Sequence, residues 1–307
     1  MSVVVLTGGV GGAKLVLGLI HALPPGEVTA IVNTGDDFTH LGLAISPDID
    51  TLLYTLAGKA SATQGWGREG DTWNFMAALR SLGGEDWFAL GDGDLALHVA
   101  RTARRTAGDP LSAITADFAR MWRIEATILP MSDDPVETIV ETEEGVLAFQ
   151  RYFVERRCEP VVRAIRFEGA EAAGPAPGVI AAIRSARAIL VAPSNPFLSV
   201  APLLAIPGLR RALAEADAPV VAISPIIGGA AVKGPTAKLM RELGLKVSAG
   251  AVAAYYGGLL DGMVIDKNDI EEFTGIVHAR ADILMATLDD KIRVARAALD
   301  LAKSLRR

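Results

Sequence analysis

The sequence has little of what several common kinds of site require. Its 307 residues contain one cysteine, Cys158, so an intrachain disulfide and a cysteine-rich zinc site are both excluded. Lysines and arginines do not form runs, and the formal net charge is −6, which argues against a broad nucleic-acid or membrane-surface contact. No apolar stretch approaches the roughly 20 residues of a membrane span. We therefore expect a cytoplasmic protein with small-molecule partners, no nucleic acid and no membrane.

The N-terminal residues predict the start of an α/β fold. Val3-Val-Val-Leu6 is a short β-branched run that ends in the glycine-rich segment Thr7-Gly-Gly-Val-Gly-Gly-Ala-Lys14, and a helical pattern follows it. Residues 28–33 resemble a second buried strand. A helix between two strands makes a βαβ unit, so we expect a Rossmann-like, mainly parallel sheet.

The pattern changes after residue 57 and returns after residue 175. Helical patterns and then an alternating stretch at 136–167 predict a smaller α+β lobe with antiparallel strands. The segment Gly174-Pro-Ala-Pro-Gly178 resembles a linker. We therefore predict a nucleotide-binding core of residues 1–57 and 176–307 and an inserted lobe of residues 58–175, which contributes to the acceptor site.

Four carboxylates follow the second strand, where an open α/β sheet binds its ligand. They are Asp36, Asp37, Asp48 and Asp50. Acids beside a phosphate loop would repel a polyanion unless a cation lay between them, which indicates metal-assisted chemistry on a phosphorylated molecule. The alternative is structural, because Asp is common in turns and as a helix N-cap.

The glycine loop predicts phosphate binding but matches neither standard motif. Gly8, Gly9, Gly11 and Gly12 would let backbone amides approach a phosphate at a helix N-terminus. The spacing is not Gly-x-Gly-x-x-Gly, and Lys14 lacks the neighbours of a Walker A loop. The next strand ends in Asn33 instead of an acid, which disfavours a nicotinamide dinucleotide. A tight structural turn is the alternative.

Two later loops and several residues of the inserted lobe are further candidates. Ser194 with Asn195, and Gly228 with Gly229, follow predicted strands at the same edge of the sheet, although such turns are also common without function. In the lobe, tryptophans beside acids could stack on a planar heterocycle, although they more often pack a small core. The residues concerned are Trp66, Trp87, Asp92 and His98.

The motifs in order resemble the 2-phospho-L-lactate transferase family of coenzyme F420 biosynthesis over residues 2 to about 270. They are Thr7-Gly-Gly-Val-Gly-Gly-Ala-Lys14, Asn33-Thr-Gly-Asp-Asp37, Ser46-Pro-Asp-Ile-Asp-Thr51, Leu90-Gly-Asp92, Leu129-Pro-Met-Ser-Asp-Asp134, Phe149-Gln-Arg-Tyr-Phe153, Pro193-Ser-Asn-Pro196 and Ser224-Pro-Ile-Ile-Gly-Gly229. The resemblance implies a Mg²⁺-dependent transfer of a phosphorylated three-carbon acid from a guanosine diphosphate-linked donor to the deazaflavin Fo. The products would be F420-0, or its dehydro form, and GMP.

The resemblance also implies roles for the candidate residues. Asp50 and Asp48 are expected to hold the metal or orient the acceptor hydroxyl. The donor is expected to contact the glycine loop and its neighbours: Gly8, Gly9, Gly11, Gly12, Lys14, Asn33, Ser194, Asn195, Gly228 and Gly229. The remaining substrate contacts are assigned to Asp36, Asp37, Trp66, Trp87, Asp92 and His98.

Three questions stay open from the sequence. Bacterial members of the resembled family use an enolpyruvyl donor, and the residues here do not distinguish lactyl, enolpyruvyl and glyceryl acids. A non-catalytic nucleotide-sugar-binding regulator of the wider group is the main alternative, and a nicotinamide dehydrogenase is the third. The resemblance suggests a homodimer with the inserted lobes near the interface.

Overall fold

A computed structural model describes residues 2–61, 67–231, 234–270, 273 and 275–305. The strands in this part of the chain are β1 (Val3–Thr7), β2 (Val28–Val32), β3 (Phe38–His40), β4 (Leu43–Ile45), β5 (Thr127–Pro130), β6 (Glu137–Thr142), β7 (Gly145–Ala148), β8 (Val162–Glu168), β9 (Ala188–Val191), β10 (Val220–Ile223), β11 (Ile226–Ile227), β12 (Ala230–Ala231), β13 (Gly262–Asp266) and β14 (Val277–Ala281).

The α-helices of the same residues are α1 (Gly9–Ala22), α2 (Pro47–Leu56), α3 (Asn74–Ser81), α4 (Asp92–Thr106), α5 (Leu111–Met121), α6 (Val179–Ser185), α7 (Ala201–Ala205), α8 (Pro207–Ala214), α9 (Thr236–Glu242), α10 (Ala249–Tyr255) and α11 (Leu288–Ser304). Two π-helical turns lie at Arg151–Glu155 and Pro196–Val200.

The main sheet is parallel throughout. Its seven strands lie in the order β14-β13-β10-β9-β1-β2-β5, and each neighbouring pair is parallel. The chain runs outward from β1 through β2 to β5 and then returns to β9 on the other side of β1. The space beyond the C-terminal ends of β1 and β9 is therefore the switch point of the sheet, where open α/β sheets bind ligands.

Both faces of the sheet are covered, which confirms the predicted α/β class. Alternate residues of β1 enter different cores, with Val3 and Val5 packing towards α1, α2 and α11, and Val4 and Leu6 packing towards α6, α8 and α10. Strands buried on both faces read as continuous hydrophobic runs, as Val3-Val-Val-Leu6 does. The tight contact of α1 with α11 depends on Gly18, because a Cβ there would overlap the backbone of Lys291.

The inserted lobe differs from its predicted extent. Residues 58–175 do contain an antiparallel sheet in the order β7-β6-β8 and the helices α3, α4 and α5. However, β5 pairs with β2 as the edge strand of the main sheet, with Ala30 opposite Ile128. The predicted lobe is therefore not one continuous segment, because residues 127–130 return to the core before the antiparallel sheet begins.

The segment between the acid pairs is a short hairpin that the sequence analysis did not predict. Strands β3 and β4 are antiparallel and are joined by Leu41 and Gly42, whose φ angles are 52° and 77°. Two positive φ values in a two-residue loop are typical of a type I′ turn. The hairpin folds the chain back, so that Asp36 and Asp37 before it lie near Asp48 and Asp50 after it.

No single helix among the described residues is long and apolar enough to cross a membrane. One pair, Pro196–Ala205 with Pro207–Ala214, meets the length and composition together but is bent by 91°.

Candidate active site

The structure brings the four predicted carboxylates together into one group, which we call the acid cluster (Asp36, Asp37, Asp48 and Asp50), with Asp36 and Asp50 buried and Asp37 and Asp48 half-buried. Asp36 and Asp50 are 4% and 5% exposed. The Asp36 carboxylate accepts a hydrogen bond from the Asp48 backbone amide at 3.1 Å, and Asp37 accepts one from the Ser46 hydroxyl at 2.7 Å. The N-terminus of α2 thus lies against the turn that contains Asp36 and Asp37.

Asn33 connects the acid cluster from the end of β2. Its Nδ2 donates to Asp36 Oδ1 at 3.2 Å and to Asp48 Oδ2 at 2.9 Å, while its Oδ1 accepts from the Gly35 amide at 2.9 Å. The side chain is fully buried. These contacts support a role in orienting the two acids, whereas the predicted contact of Asn33 with a nucleotide stays a prediction.

The glycine loop holds a carboxylate at the N-terminus of α1. The Gly9 amide donates to Asp48 Oδ1 at 2.7 Å, and the Gly8 amide donates to the Ser194 hydroxyl at 3.3 Å. A helix N-terminus favours negative charge, and Asp48 supplies it here. A Cβ at Gly8 would overlap Asp48 Oδ2 and lie 2.8 Å from Ser199 Cβ. Gly8 is therefore required for the approach of Asp48, a reason that the sequence analysis did not give.

The next glycines of the loop allow close packing against the loop after β9. A Cβ at Gly11 would lie 2.7 Å from the Pro193 carbonyl oxygen, and one at Gly12 would overlap the Thr7 hydroxyl. The predicted reason for these glycines was approach to a phosphate. The contacts instead give them a structural reason, and phosphate binding at this loop stays a prediction.

Ser194 and Asn195 lie at the switch point, as the sequence predicted for the end of β9. The Ser194 hydroxyl donates to the Gly8 carbonyl oxygen at 2.7 Å, which ties the two loops together. Asn195 Oδ1 accepts from the Phe197 and Leu198 amides at 2.9 and 3.1 Å. Its buried Nδ2 has no hydrogen-bond partner among the described residues. Asn195 therefore keeps a donor that a ligand could use.

Lys14, Gly228 and Gly229 have protein partners or turn geometry of their own. Lys14 Nζ donates to the Met285 carbonyl oxygen at 2.8 Å, which joins α1 to the loop before α11. Gly228 and Gly229 form the turn between β11 and β12, with φ angles of 56° and 73°. The Gly228 amide donates to Asp269 at 2.9 Å. Their predicted contacts with the donor stay predictions.

Asp50 is paired with a buried arginine of the inserted lobe. Arg101 on α4 is 1% exposed, and its Nη2 and Nη1 contact the two carboxylate oxygens of Asp50, the second at 3.0 Å. Arg101 follows His98 by three residues in the sequence and was not among the predicted site residues. The only sequence signal for its role was a charged residue at helical spacing from a histidine.

His98 lies in the same buried network instead of on an open surface. It is 2% exposed; its Nδ1 is 3.6 Å from Asp50 Oδ2, and its Nε2 is 3.2 Å from Asp94 Oδ2. Asp94 also accepts a hydrogen bond from the Tyr54 hydroxyl at 2.5 Å. His98 is therefore an interior residue beside Asp50 and Asp94, and its predicted contact with the acceptor stays a prediction.

Burial raises the pKa of three acids in the cluster. Burial raises the pKa of Asp37 to about 8, despite the hydrogen bond from Ser46 and the charge of Arg101. Burial also raises the pKa of Asp48 to about 6, opposed by its bonds from Asn33 and Gly9. The pKa of Asp36 is raised by burial and by the charges of Asp48 and Asp37. Crowded acids with raised pKa values are frequent at functional sites.

The acid cluster supplies carboxylate oxygens, the kind of ligand that Mg²⁺ takes in proteins. Mg²⁺ usually takes one or two carboxylates and completes its shell with waters and substrate phosphates. No three acids, histidines or cysteines among the described residues are placed to form a complete metal cage. The carboxylate oxygens of Asp48 and Asp50 bind Gly9, Asn33 and Arg101, whereas the buried Asp37 Oδ1 has no hydrogen-bond partner among the described residues. Binding of Mg²⁺ by Asp48 and Asp50 stays a prediction.

The predicted acceptor-side residue Trp87 makes no hydrogen bond with the acid cluster among the described residues. Trp87 packs its ring 5.0 Å from His40, and the Arg151 guanidinium lies 4.2 Å above it, so the ring is part of a small aromatic group. Trp66 lies outside the described residues. The predicted stacking of these rings on a deazaflavin stays a prediction.

Asp92 has a structural role in capping a helix, and its predicted substrate contact stays a prediction. Its carboxylate accepts from the Asn74 and Phe75 amides at 3.2 and 3.0 Å and so caps α3. A hydrogen bond from the Thr72 hydroxyl, with these amides, lowers its pKa to about 2. Asp71 does the same for α4, accepting from the Gly93 and Asp94 amides at 2.6 and 3.0 Å. The two helices thus cap each other reciprocally.

The fold and the site together define a doubly wound α/β protein that holds an acid cluster at its switch point. The sequence profile of the family described as 2-phospho-L-lactate transferase CofD matches residues 3–298. The chain is 43% identical to a phosphoenolpyruvate transferase of Streptomyces coelicolor, with 100% of this chain and 99% of that protein covered. It is 40% identical to a 2-phospho-L-lactate transferase of Methanosarcina mazei, with 95% and 97% covered.

The chain therefore belongs to the 2-phospho-L-lactate transferase CofD family, and it is an enzyme of the transferase class. A solved structure of a UPF0052 family member from Bacillus halodurans superposes with a TM-score of 0.65 at 16% identity, covering 97% of this chain and all of that one. At that identity the likeness shows the fold alone. The predicted fold and family are confirmed.

Proposed function

We propose that this enzyme transfers a phosphorylated three-carbon acid from a guanosine diphosphate-linked donor to the deazaflavin Fo in coenzyme F420 biosynthesis, with release of GMP. The observation that carries the proposal is the acid cluster at the switch point, in a chain that matches the transferase family over residues 3–298. The relatives' names, phosphoenolpyruvate transferase and 2-phospho-L-lactate transferase, support this class of transferred group.

The reaction requires one bond to form and one to break at phosphorus. A ribityl hydroxyl of Fo attacks the phosphorus that carries the three-carbon acid, the bond to the GMP oxygen breaks, and GMP leaves with the electron pair. The proton of the hydroxyl passes to water. Catalysis of such transfers depends mainly on positioning and on electrostatic stabilisation. Bound Mg²⁺ supplies positive charge that stabilises the diphosphate as its bond breaks. Asp48 and Asp50 would hold it, since their oxygens lie at the start of α2.

Polar groups at the end of β9 and in the glycine loop suit the guanosine-linked part of the donor. Asn195 Nδ2 is a buried donor without a partner among the described residues, at the end of β9 beside the glycine loop. We propose that it binds the guanosine-linked part, together with amides of the glycine loop beyond Gly9. The amides of Gly8 and Gly9 already bind Ser194 and Asp48, so a phosphate would meet later amides of α1.

One experiment tests substrate and activity together. The purified protein is incubated with Fo, Mg²⁺ and, separately, the phospholactyl, enolpyruvyl and phosphoglyceryl guanosine diphosphate donors, and the deazaflavin product is identified by mass. We expect a product of Fo plus the phosphorylated acid with one of the three, and none when Mg²⁺ is chelated. Absence of product with all three donors would refute the proposed reaction.

The family match favours the transferase over a nucleotide-sugar-binding regulator. A calorimetric comparison separates the two, because the transferase is expected to bind GDP and the regulator a UDP-sugar. We keep a cytoplasmic location and a homodimer as parts of the proposal. Light scattering of the purified protein measures whether it forms a homodimer.

A further inference from the structure

We propose that Arg101 is a positioning residue for the transfer, and that its guanidinium fixes the direction of the Asp50 carboxylate at the start of α2. This inference rests on the proposed function, because it takes Asp50 as part of the transfer site. Arg101 itself is buried, with an exposure of 1%.

The contact between the two side chains constrains both position and plane. Arg101 Nη1 donates to Asp50 Oδ2 at 3.0 Å, and Nη2 contacts Oδ1. Two parallel bonds of a guanidinium fork to a carboxylate fix the orientation of the carboxylate, which a single bond does not. The two residues lie 51 positions apart, on α2 and α4. The pair therefore joins the core to the inserted lobe at the acid cluster.

The guanidinium is itself held by further contacts. Arg101 Nη1 lies 3.4 Å from the Ala44 carbonyl oxygen and 3.3 Å from His98 Nδ1. His98 Nε2 faces Asp94, and Asp94 accepts from the Tyr54 hydroxyl on α2. The contacts form a closed circuit from Asp50 through α4 and back to α2. A rotation of Arg101 would break several of them at once.

The paired carboxylate can still serve the reaction. Each carboxylate oxygen has two lone-pair sites, and Arg101 occupies one on each. Asp50 therefore keeps acceptor capacity, in directions that the guanidinium determines. Lysine cannot reproduce this effect, because its ammonium is a point charge without a planar fork.

The test compares Arg101→Lys with wild-type enzyme and with a control on the same helix. Arg101→Lys keeps the buried positive charge, which makes it the variant most suited to fold. The control is Arg104→Lys, because Arg104 lies one turn later on α4, is 30% exposed and binds Asp109 and Asp117. For each protein we would measure kcat, KM for donor and acceptor, and the melting temperature.

We expect Arg101→Lys to lower kcat by about 10- to 100-fold, with KM for the donor within about twofold, since small displacements of catalytic groups have effects of that size. Arg104→Lys should leave both constants near wild type. A folded Arg101→Lys enzyme with wild-type kcat would overturn the inference, because a purely structural arginine affects stability alone.

A second variant covers the case in which Arg101→Lys does not fold. His98→Gln removes one contact of the guanidinium and leaves the ion pair with Asp50 intact, so we expect a smaller decrease of kcat, about threefold or more, with KM for the donor unchanged. Unchanged kcat in folded His98→Gln would then overturn the inference. Wild-type enzyme that forms no product contradicts the proposed function itself, which distinguishes that failure from this one.

Discussion

Asp48 and Asp50 stand two residues apart on α2, yet different parts of the molecule hold them. Asp48 is bound by neutral N–H donors of the core, from Gly9 and Asn33. Asp50 is bound by a charged guanidinium of the inserted lobe, from Arg101. Neutral donors leave the Asp48 pKa raised by burial, to about 6. The core and the inserted lobe therefore both bind acids in the first turn of α2.

The comparison predicts that the lobe side matters most for turnover. Asp50→Asn keeps the shape of the side chain and removes its charge, so we expect a loss of about 100-fold or more in kcat, the size typical of removing a catalytic carboxylate. Binding of GDP, measured by calorimetry, should persist, because the proposed donor contacts lie on the core side. Near-normal product formation by Asp50→Asn would contradict the assignment.

On the core side, the steric effect of one added methyl group is expected to disturb the position of Asp48. Gly8→Ala places a methyl group against Asp48 Oδ2 and Ser199 Cβ, and overpacking of this kind costs about 1–3 kcal/mol in the free energy of unfolding. We also expect weaker donor binding, because Asp48 must move. Gly174→Ala is the control, since a Cβ there meets nothing nearer than 3.8 Å. Equal denaturation midpoints for the two variants would show that the approach of Asp48 is not tight.

The acid cluster predicts a pH dependence of stability. Asp37 has a pKa of about 8 in the folded protein and 3.8 as the reference value, so between these pH values the folded state binds more protons than the unfolded state. Stability from this group is therefore present at low pH and is lost as pH rises towards 8, by at most about 1.4 kcal/mol per pH unit.

Asp37→Asn isolates that contribution. The wild-type melting temperature should fall more steeply between pH 5.5 and 8 than that of the variant, because Asp36 and Asp48 remain in both proteins. If the melting temperatures of the two proteins change in parallel with pH, Asp37 does not keep its proton on folding.

The smallest effect is expected at Asp92. Because this half-buried acid caps α3, Asp92→Ala should lower the melting temperature by a few degrees and leave kcat near wild type. A large rise in KM for the acceptor would instead support the substrate contact that the sequence predicted.

Local pattern was enough to predict much of the fold. The helical patterns predicted for the inserted lobe are observed as α3, α4 and α5. The βαβ start and the antiparallel strands around Gly145 were also predicted. Strand β14 was missed, since Val277–Ala281 contains His278 and Arg280 and is only partly buried at the sheet edge. Strand β5 was assigned to the lobe because pairing with β2 is a long-range contact.

The site was predicted in part for a similar reason. The four acids are close in sequence, so a motif selected them, and a hairpin that was not predicted brings them together. Arg101 was not selected, because its partner Asp50 lies 51 residues away in the sequence. A local sequence pattern does not predict a contact over that separation. Likewise, Asp92 was selected for its motif, while its actual partners, Asn74 and Phe75, follow from how two helices pack.

The exchange of caps between α3 and α4 has a consequence for how this part of the chain folds. Asp71 precedes α3 yet caps α4, and Asp92 begins α4 yet caps α3. Neither helix can satisfy its first amides without the other in place, so residues 71–106 should open and close as one cooperative unit. Amide hydrogen exchange would then report a single opening free energy for both helices, and a chimaera that replaces one of them would have to replace its companion as well.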